Sequence, residues 1–126
     1  VLWYDFNGIK CIFTGDLPQA GEKEVIIKYP EINADILKTG HHGSKTSTSP
    51  EFVRKMNPRL AIISCGRNNR YGHPNQETLE TLNNNGVPYL STANCGMIKL
   101  RKSFGEMPYL CVYGDGTASR LNLPLR

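Results

Sequence analysis

Hydrophobic residues and short polar breaks alternate along the first third of the chain. Residues 1–6 and 9–14 are two runs rich in strand-forming residues, and the Asn7-Gly8 dipeptide between them is the strongest short signal for a β-hairpin. Residues 20–29 then carry apolar side chains at helical spacing and are followed by Pro30, which ends a helix. The pattern therefore predicts a leading hairpin followed by a helix.

The rest of the chain continues with short apolar runs separated by polar segments. From residue 9 to residue 91 the predicted strands and helices alternate as β-α-β-α-β-α-β, which favours a parallel sheet with crossover helices. The tail at 103–126 is interrupted by Gly and Pro and does not follow this pattern. The further strands are predicted at residues 34–38, 60–65, 87–91, 97–100 and 109–113.

Two more helices are predicted between these strands. The first has Thr48 or Ser49 as its N-cap and continues to about Met56. The second starts at Pro74 and ends at Gly86, a residue type that is common directly after a helix. The predicted fold class is therefore α/β.

The length of the chain allows one domain. It has 126 residues, 39% of them hydrophobic, and no apolar run approaches the roughly 18 residues of a membrane-spanning helix. This composition excludes disorder, collagen and a membrane span for this segment. Because the sequence starts without Met and inside a strand-like run, we expect it to be part of a longer domain.

Positive charge is concentrated in one part of the sequence. The net charge is +4, but the segment from residue 36 to 75 holds seven basic residues and a single acid, Glu51. Such a segment attracts phosphate-rich partners, although a charged run can also be a solvated face. The seven basic residues are Lys38, Lys45, Arg54, Lys55, Arg59, Arg67 and Arg70.

The cysteines show neither a C-x-x-C pair nor zinc-finger spacing. Cys11, Cys65 and Cys111 lie inside apolar strand-like runs, where a reduced thiol behaves as a small core residue. We therefore predict structural cysteines and a reducing compartment.

Four side chains with metal-binding or acid–base chemistry follow strands of the predicted sheet. Asp16 comes after the first strand of the alternating series, the His41-His42 pair after the second, and His73 after the third. The carboxyl ends of parallel strands share one edge of a sheet, and ligands bind at that edge in open α/β folds. We therefore expect Asp16 and the three histidines to meet at one edge.

A carboxylate together with imidazoles suits zinc, manganese or iron, and an aspartate can bridge two such ions. Two ions about 4 Å apart can hold the attacking and leaving oxygens of a phosphoryl displacement. A histidine beside them can protonate a leaving group or hold a phosphate oxygen. The basic neighbours Lys45, Arg67 and Arg70 favour an anionic substrate.

Plainer roles are open for the same residues. Asp16 suits the N-cap of the following helix, and His73 suits a cap of the last one. The Asn68-Asn69-Arg70 stretch is typical of a turn. Glu77 and Glu80 fit a solvated helix face better than an acid–base pair.

Three motifs, taken in order, resemble a known family. They are similar to the second half of the metallo-β-lactamase-like domain of ComEC-type competence proteins, over about residues 2–100. The resemblance implies a partial metallo-β-lactamase fold, the C-terminal half of an αββα architecture, with two divalent ions, zinc or manganese. The motifs are Phe13-Thr14-Gly15-Asp16, Ile36-Leu37-Lys38-Thr39-Gly40-His41-His42-Gly43-Ser44 and Asn68-Asn69-Arg70-Tyr71-Gly72-His73-Pro74.

The resemblance also implies roles for individual residues. Asp16 matches the aspartate that bridges the metal ions. His41 and His42 match a late histidine motif, in which we assign His41 to the metal and His42 to catalysis, facing the substrate. His73 matches the histidine of a Tyr-Gly-His-Pro loop and is assigned to the metal, with a phosphate contact as the other role. Contacts to substrate phosphates are expected from Lys45, Arg67 and Arg70.

One departure from the family is large. Its His-x-His-x-Asp-His motif and a further ligand histidine lie in the first half of the fold, and this sequence has neither. We therefore expect residues 1–126 to be a single, incomplete hydrolase domain with an atypical tail at 103–126. Its partner is then the missing N-terminal half of the same domain. Alone, the chain is expected to be inactive and to self-associate through its exposed sheet face.

The function implied by the resemblance is metal-dependent hydrolysis of phosphodiesters, with DNA as the favoured substrate, during DNA uptake by competent bacteria. In that family the domain is attached to a membrane protein that forms the uptake channel, so we expect a soluble bacterial domain attached to such a channel. Two alternatives stay open. One is a non-catalytic module that binds nucleic acid through its basic residues, and the other is a phosphodiesterase of small molecules.

Overall fold

The computed structural model describes residues 1–6, 8–102, 110–114 and 117–121, with side chains described up to residue 100. Strands and helices alternate through most of this part of the chain. The strands are β1 (Leu2–Phe6), β2 (Ile9–Phe13), β3 (Ile36–Lys38), β4 (Leu60–Ile63), β5 (Tyr89–Ser91), β6 (Arg101–Lys102), β7 (Leu110–Gly114) and β8 (Thr117–Leu121). The helices are α1 (Gln19–Lys28), α2 (Pro50–Met56), α3 (Gln76–Asn84) and α4 (Thr92–Cys95).

The first five strands form one sheet in the order β1-β2-β3-β4-β5. Strand β1 runs antiparallel to β2 as a hairpin, and the pairs from β2 to β5 are all parallel. The structure therefore confirms the predicted hairpin, the parallel sheet and the α/β class. The turn residue Asn7 lies outside the described residues.

Alternate residues of the strands face opposite sides of this sheet, as the two-residue period of a β-strand requires. On one side Ile12, Leu37, Ala61 and Ile63 pack against the helices in the main core. The opposite side carries a second cluster, formed by Ile9, Cys11, Ile36 and Leu60. The helical side of the main core is formed by Phe52, Val53 and Met56 of α2 and Leu82 of α3.

Helix α2 begins where the sequence predicts. Of the two candidate caps, Ser49 is the N-cap, and its hydroxyl oxygen accepts a hydrogen bond of 3.2 Å from the Phe52 amide. Helix α3 begins at Gln76 rather than at Pro74, because the Asn75 amide is held in the preceding loop by the Gly43 carbonyl at 2.9 Å.

Two predictions in the later part of the chain need comment. Residues 97–100 are not a strand: Ile98 and Leu100 pack against the second apolar cluster, so their pattern reflects burial, and the next strand begins at Arg101. The strand predicted at 109–113 is β7, which pairs antiparallel with β6 and β8. Residues 103–109 and most of the remaining tail, 115–116 and 122–126, lie outside the described residues.

Strand β1 is exposed along its whole length at the edge of the sheet. Its large apolar residues include Leu2, Trp3, Tyr4 and Phe6, each more than two-fifths exposed. An exposed apolar surface therefore lies along this edge strand, whereas self-association through an exposed sheet face stays a prediction. In the described residues, none of the helices combines the length and apolarity needed to cross a membrane.

Candidate functional site

The loops that follow β2, β3 and β4 lie together at the carboxyl ends of these strands, here called the histidine edge. The imidazole rings of His41 and His73 are 5.8 Å apart between centroids, and those of His41 and His42 are 6.2 Å apart. Three histidines from two different loops therefore meet at one place, as the strand order led us to expect.

His41 and His42 lie in a tight turn, Gly40–Gly43, in which the backbone angles of both histidines are non-helical. Both have positive φ, 45° and 59°, in the left-handed region that L-residues other than glycine rarely adopt. Such a conformation costs on the order of 1–3 kcal/mol per residue and persists where its surroundings hold it. Here the His41 amide donates to the Gly15 carbonyl at 2.8 Å, which joins this turn to the loop carrying Asp16.

The hydrogen bond of His42 determines its tautomer. Its Nδ1 lies 2.7 Å from the backbone carbonyl of Ser64. A carbonyl oxygen only accepts, so Nδ1 carries the proton and Nε2 of the neutral ring has a lone pair. An imidazole in this state suits either a base or a metal ligand, because both use that lone pair.

A buried carboxylate supports the turn from the side of the helices. Glu22 in α1 is fully buried, and its two oxygens accept from the backbone amides of Thr48 at 2.5 Å and Ser49 at 2.9 Å. The Thr48 hydroxyl in turn accepts from the Gly40 amide at 3.1 Å. Glu22 is thus two hydrogen bonds away from the residue before His41. Sequence reasoning missed it, because its partners lie 26 and 27 residues later.

Gly43 brings the two histidine loops into contact. Its φ is +83°, and a Cβ added to it would lie 2.8 Å from the Pro74 Cβ, closer than side chains approach. Its carbonyl accepts from the Asn75 amide and from the Thr78 hydroxyl, both at 2.9 Å. A glycine is therefore required where the His41-His42 turn packs on the loop of His73.

Asn69 brackets the backbone of His73. Its side-chain oxygen accepts from the His73 amide at 2.9 Å, and its side-chain nitrogen donates to the carbonyls of His73 at 2.6 Å and Gly66 at 2.9 Å. The prediction that Asn68-Asn69-Arg70 forms a turn is confirmed. The hydrogen bonds of Asn69 within this turn also fix the position of the His73 backbone.

The His73 ring has an unusual environment. Its Nδ1 is buried and has no hydrogen-bond partner within the described part of the chain. The Tyr71 ring stacks beside it, with 5.9 Å between centroids and 20° between planes. His73 is not the N-cap of α3, because Asn75 holds that position.

Asp16 is exposed on the loop after β2. It is not the N-cap of α1, which is Pro18, so the capping role considered from the sequence is excluded. Its carboxylate acts on Lys38 at the end of β3: burial lowers the pKa of that ammonium group, and the charges of Asp16 and Cys65 oppose the change. Asp16 therefore shares an electrostatic environment with the end of β3.

The predicted phosphate contacts are at this edge, but the basic segment as a whole is not. Arg67 donates to the Ala93 carbonyl at 2.6 Å, and Arg70 lies over the Tyr71 ring with 4.9 Å to its centroid. The exposed Lys45 lies 4.0 Å from Glu77, a pair that contributes little in solvent. Glu77 and Glu80 are exposed, as predicted.

Three of the seven basic residues lie at the other end of the sheet. Helix α2 runs back from the histidine edge, so Arg54 and Lys55 in its last turn are at the amino ends of the strands. Arg59 precedes β4 and pairs with Asp35 at 3.9 Å. The interpretation of the whole segment as a positive field around the site is therefore wrong for these three residues.

Two adjoining cavities open at the histidine edge. The larger, about 640 Å³, lies between the loop after β4 and α4 and is lined by Arg67, Asn68, His73 and Asn94 among others. The smaller, about 210 Å³, is lined by His42, Cys65, Gly66, Asn69, Tyr71 and His73. Cys65 is thus half-buried beside the histidines, 3.3 Å from the Ser91 hydroxyl, rather than simply a core residue. Cys11, Cys65 and Cys95, the cysteines with described side chains, form no disulfide.

A metal centre is not complete in this part of the protein. Among the residues whose side chains are described, no group of three or more His, Cys, Asp or Glu is placed to hold a metal ion. The roles assigned to Asp16, His41 and His73 as ligands, and to His42 in catalysis, stay predictions.

Comparison with known proteins finds several bacterial relatives. The chain is 48% identical to ComE operon protein 3 of Bacillus subtilis over 80% of its length, and 33% identical to Competence protein ComA of Neisseria gonorrhoeae over 74%. It is 35% identical to Recombination protein 2 of Haemophilus influenzae over 79%. The matched parts cover only 13%, 14% and 12% of these relatives. No family model matches the sequence.

Proposed function

We propose, on the premise that these similarities indicate a ComE-type competence family for this chain, that it acts in DNA uptake as part of a metal-dependent phosphodiester hydrolase. The proposal includes the fold that the sequence motifs imply, with this chain as the C-terminal half of a metallo-β-lactamase-like domain. The remaining metal ligands then come from the first half of that fold. DNA is the proposed substrate.

The observation that carries the proposal is the buried, unpartnered Nδ1 of His73 beside His41. A buried polar atom without a partner costs free energy, so such an atom in a native structure needs an explanation. An imidazole nitrogen is a good donor to zinc or manganese, and Asp16 on the neighbouring loop supplies the oxygen donor that such ions also accept. The residues present therefore fit the proposed ions in their chemistry.

Asp16, His41 and His73 would hold the metal ions in this proposal. When bound, the ions supply an activated water and neutralise charge on a phosphodiester. The Nδ1–H group of His42 donates a hydrogen bond to the Ser64 carbonyl. The Nε2 atom of the same ring can therefore take up a proton and later give it to the leaving oxygen. Lys45, Arg67 and Arg70 attract the anionic substrate to this edge.

The metal content of the longest natural form of the protein tests this proposal. We expect about two divalent ions per chain, and the Asp16→Ala variant is expected to lose one or both. Glu24→Ala, which removes an exposed carboxylate on α1, is the matched control and keeps the full metal content. If neither the parent protein nor the control binds metal after reconstitution, the hydrolase proposal is wrong.

Two assays separate the hydrolase from its alternatives. A chelator abolishes cleavage of DNA by a metal-dependent hydrolase, whereas a non-catalytic binding module keeps its affinity in chelator and loses it steeply with salt. A small-molecule phosphodiesterase cleaves a chromogenic diester such as bis(p-nitrophenyl) phosphate and leaves DNA intact. Metal-dependent cleavage of DNA is the result that we expect.

A further inference from the structure

Lys38 is a half-buried lysine at the centre of the histidine edge. It is the last residue of β3, and in the register of the sheet it lies between Phe13 of β2 and Ile62 of β4. The loops that follow these three strands carry Asp16 and the three histidines. The Lys38 side chain therefore starts from the middle of the proposed site.

The side chain of Lys38 lies on the face of the sheet opposite the main core. Leu37 packs in the main core against the helices, whereas Ile36 belongs to the second apolar cluster on the other face. Because successive residues of a strand alternate between the two faces, Lys38 shares the face of Ile36. Its ammonium group is therefore placed at the carboxyl end of the sheet, away from the helices.

The positive charge of Lys38 has no ion-pair partner among the described residues. Its ammonium group donates 2.8 Å to the carbonyl oxygen of the next residue, Thr39. Burial lowers the pKa of this group, and the charge of Asp16 opposes that change without forming an ion pair. An ammonium group has three N–H donors, so an anionic oxygen beside it would find a donor and offset the cost of burial.

The other basic residues of this edge are less suited to hold a substrate oxygen in one position. Arg67 and Arg70 already donate hydrogen bonds to neighbouring protein groups. Lys45 is exposed and lies beside Glu77, whose negative charge opposes an anion. These residues attract an anion at longer range. Lys38 is half-buried on a strand, so its side chain loses less freedom when it contacts a ligand.

We propose that Lys38 binds a phosphate oxygen of the substrate directly, as a charged donor at the centre of the histidine edge. This inference rests on the function proposed above and adds a substrate contact to it. A hydrogen bond from an ammonium group to a phosphate oxygen is charge-assisted and is roughly twice as strong as a bond between neutral groups. Inorganic phosphate offers the same oxygens and serves as the probe.

The chain contains a matched control for this contact. Lys55 is also half-buried, and its ammonium group also donates to a backbone carbonyl, that of Pro30. It lies in the last turn of α2, at the amino ends of the strands and thus at the opposite end of the sheet. A general effect of phosphate on buried lysines, or of removing one, therefore affects Lys38 and Lys55 equally.

Acetylation of lysines, followed by mass spectrometry, tests the contact independently of hydrolysis. The longest natural form of the protein is labelled with sulfosuccinimidyl acetate, either in inorganic phosphate or in sodium chloride of the same ionic strength. Phosphate is expected to slow the acetylation of Lys38 several-fold and to leave that of Lys55 unchanged. Equal acetylation of Lys38 in the two salts overturns the inference, and so does equal protection of both lysines.

Hydrolysis of bis(p-nitrophenyl) phosphate separates a substrate contact from a structural role. Lys38→Met keeps the length of the side chain without its charge, and we expect kcat/KM to fall roughly tenfold or more, as for the loss of a hydrogen bond to a charged group. Metal content should stay at the parent value. Lys38→Arg keeps the charge and should retain more activity than Lys38→Met, and Lys55→Met should behave like the parent.

Failure of this inference can be told from failure of the proposed function. A parent value of kcat/KM in Lys38→Met overturns the contact and leaves the hydrolase proposal standing. Loss of metal together with activity in Lys38→Met also overturns it, because Lys38 then acts on the structure of the site. Acetylation requires no hydrolysis, so protection of Lys38 by phosphate supports the contact even where the parent protein cleaves nothing.

Discussion

The two ends of the five-stranded sheet use similar side chains in different ways. At the amino ends of the strands, polar groups are paired with one another: Asp35 accepts from the Lys10 amide at 3.0 Å and pairs with Arg59, and the Lys10 ammonium group donates to Asn33 at 2.9 Å. At the histidine edge, by contrast, the Nδ1 atom of His73 is buried without a partner among the described residues.

The backbone conformation also differs between the two ends of the sheet, with more residues of positive φ at the histidine edge. Left-handed residues other than glycine at the histidine edge are His41, His42, Thr48 and Asn68. At the other end Asn57 is left-handed, but it follows α2 as its C-cap, a position where this conformation is common. Paired groups and ordinary backbone stabilise a fold, whereas unpaired groups on a constrained backbone are typical of a binding site. The difference supports the proposal that the histidine edge is the functional end of the sheet.

Replacing Glu22 should have the largest effect, because this carboxylate links the helices to the histidine edge. Glu22→Ala leaves the Thr48 and Ser49 amides buried without an acceptor, and we expect the free energy of unfolding to fall by about 3 kcal/mol. Urea unfolding measures this loss. Glu24→Ala on the same helix is exposed and should change the stability by less than about 0.5 kcal/mol.

Glu22→Gln tests the link to His41 separately from the loss of stability. The amide keeps the shape of the side chain but replaces one acceptor with a donor, which faces a backbone amide. We expect faster hydrogen exchange at the amides of Gly40 and His41, with the rest of the sheet unchanged. Uniformly faster exchange across the protein would show that Glu22 has no specific effect on the turn.

Asp35→Ala should destabilise the amino ends of the strands and leave the histidine edge unchanged. It removes the acceptor of the Lys10 amide and the partner of the half-buried Arg59, so we expect a loss of about 2 kcal/mol in stability. The affinity for an oligonucleotide should stay within twofold of the parent value. A comparable loss of affinity would mean that the two ends are coupled.

Asn69→Ala should have a smaller effect on stability and a local effect on His73. The substitution removes the side-chain hydrogen bonds to the His73 amide and carbonyl on a partly exposed loop, so we expect the free energy of unfolding to fall by about 1 kcal/mol. NMR chemical shifts of the His73 ring should change, while those of His41 stay close to the parent values. Asn83→Ala, an exposed position near the end of α3, is the control.

The smallest expected effect concerns Cys11 on the face of the sheet away from the helices. Burial raises the pKa of this thiol, with Asp35 and Asp5 adding to the change. The folded state therefore holds the thiol proton more tightly than the unfolded state, and stability is lost as the pH rises above about 9.

A comparison of urea unfolding at about pH 8 and about pH 10 measures this loss. Cys11→Ala should lose less stability between these pH values than the parent does. Lys38 and other titrating groups contribute to both proteins, so the difference isolates the thiol. An identical pH dependence of the two proteins would contradict the assignment.

Much of the architecture could be predicted from local sequence signals. The β1–β2 hairpin, the alternation of apolar runs with helices and the Ser49 cap are each signalled by a few neighbouring residues of the sequence. The pattern at residues 97–100 indicated burial but not strand pairing, which depends on a partner elsewhere in the chain. The four-residue α4 and strand β8 are too short or too irregular in composition to leave a periodic signal.

The candidate site was predictable in position but not in detail. Strand order alone places the three histidines at one edge, whereas no residue type signals that His41 and His42 adopt left-handed angles. The position of Arg54 and Lys55 at the amino ends of the strands can be predicted from the sequence, because a helix that follows a parallel strand runs back toward those ends. Tyr71 stands in the Tyr-Gly-His-Pro motif, but its exposure becomes visible when the loop is folded.

The hydrogen bond from the His41 amide to the Gly15 carbonyl has a consequence for how such proteins evolve. It joins two motifs through main-chain atoms, a carbonyl that every amino acid carries and an amide that every amino acid except proline carries. Substitutions other than proline at position 41 leave donor and acceptor in place, so the two columns of an alignment need not co-vary although they touch. Replacing the peptide bond before His41 with an ester removes the donor while keeping the side chain. This substitution tests the coupling between the two loops, which the co-variation of residue types in an alignment would not reveal.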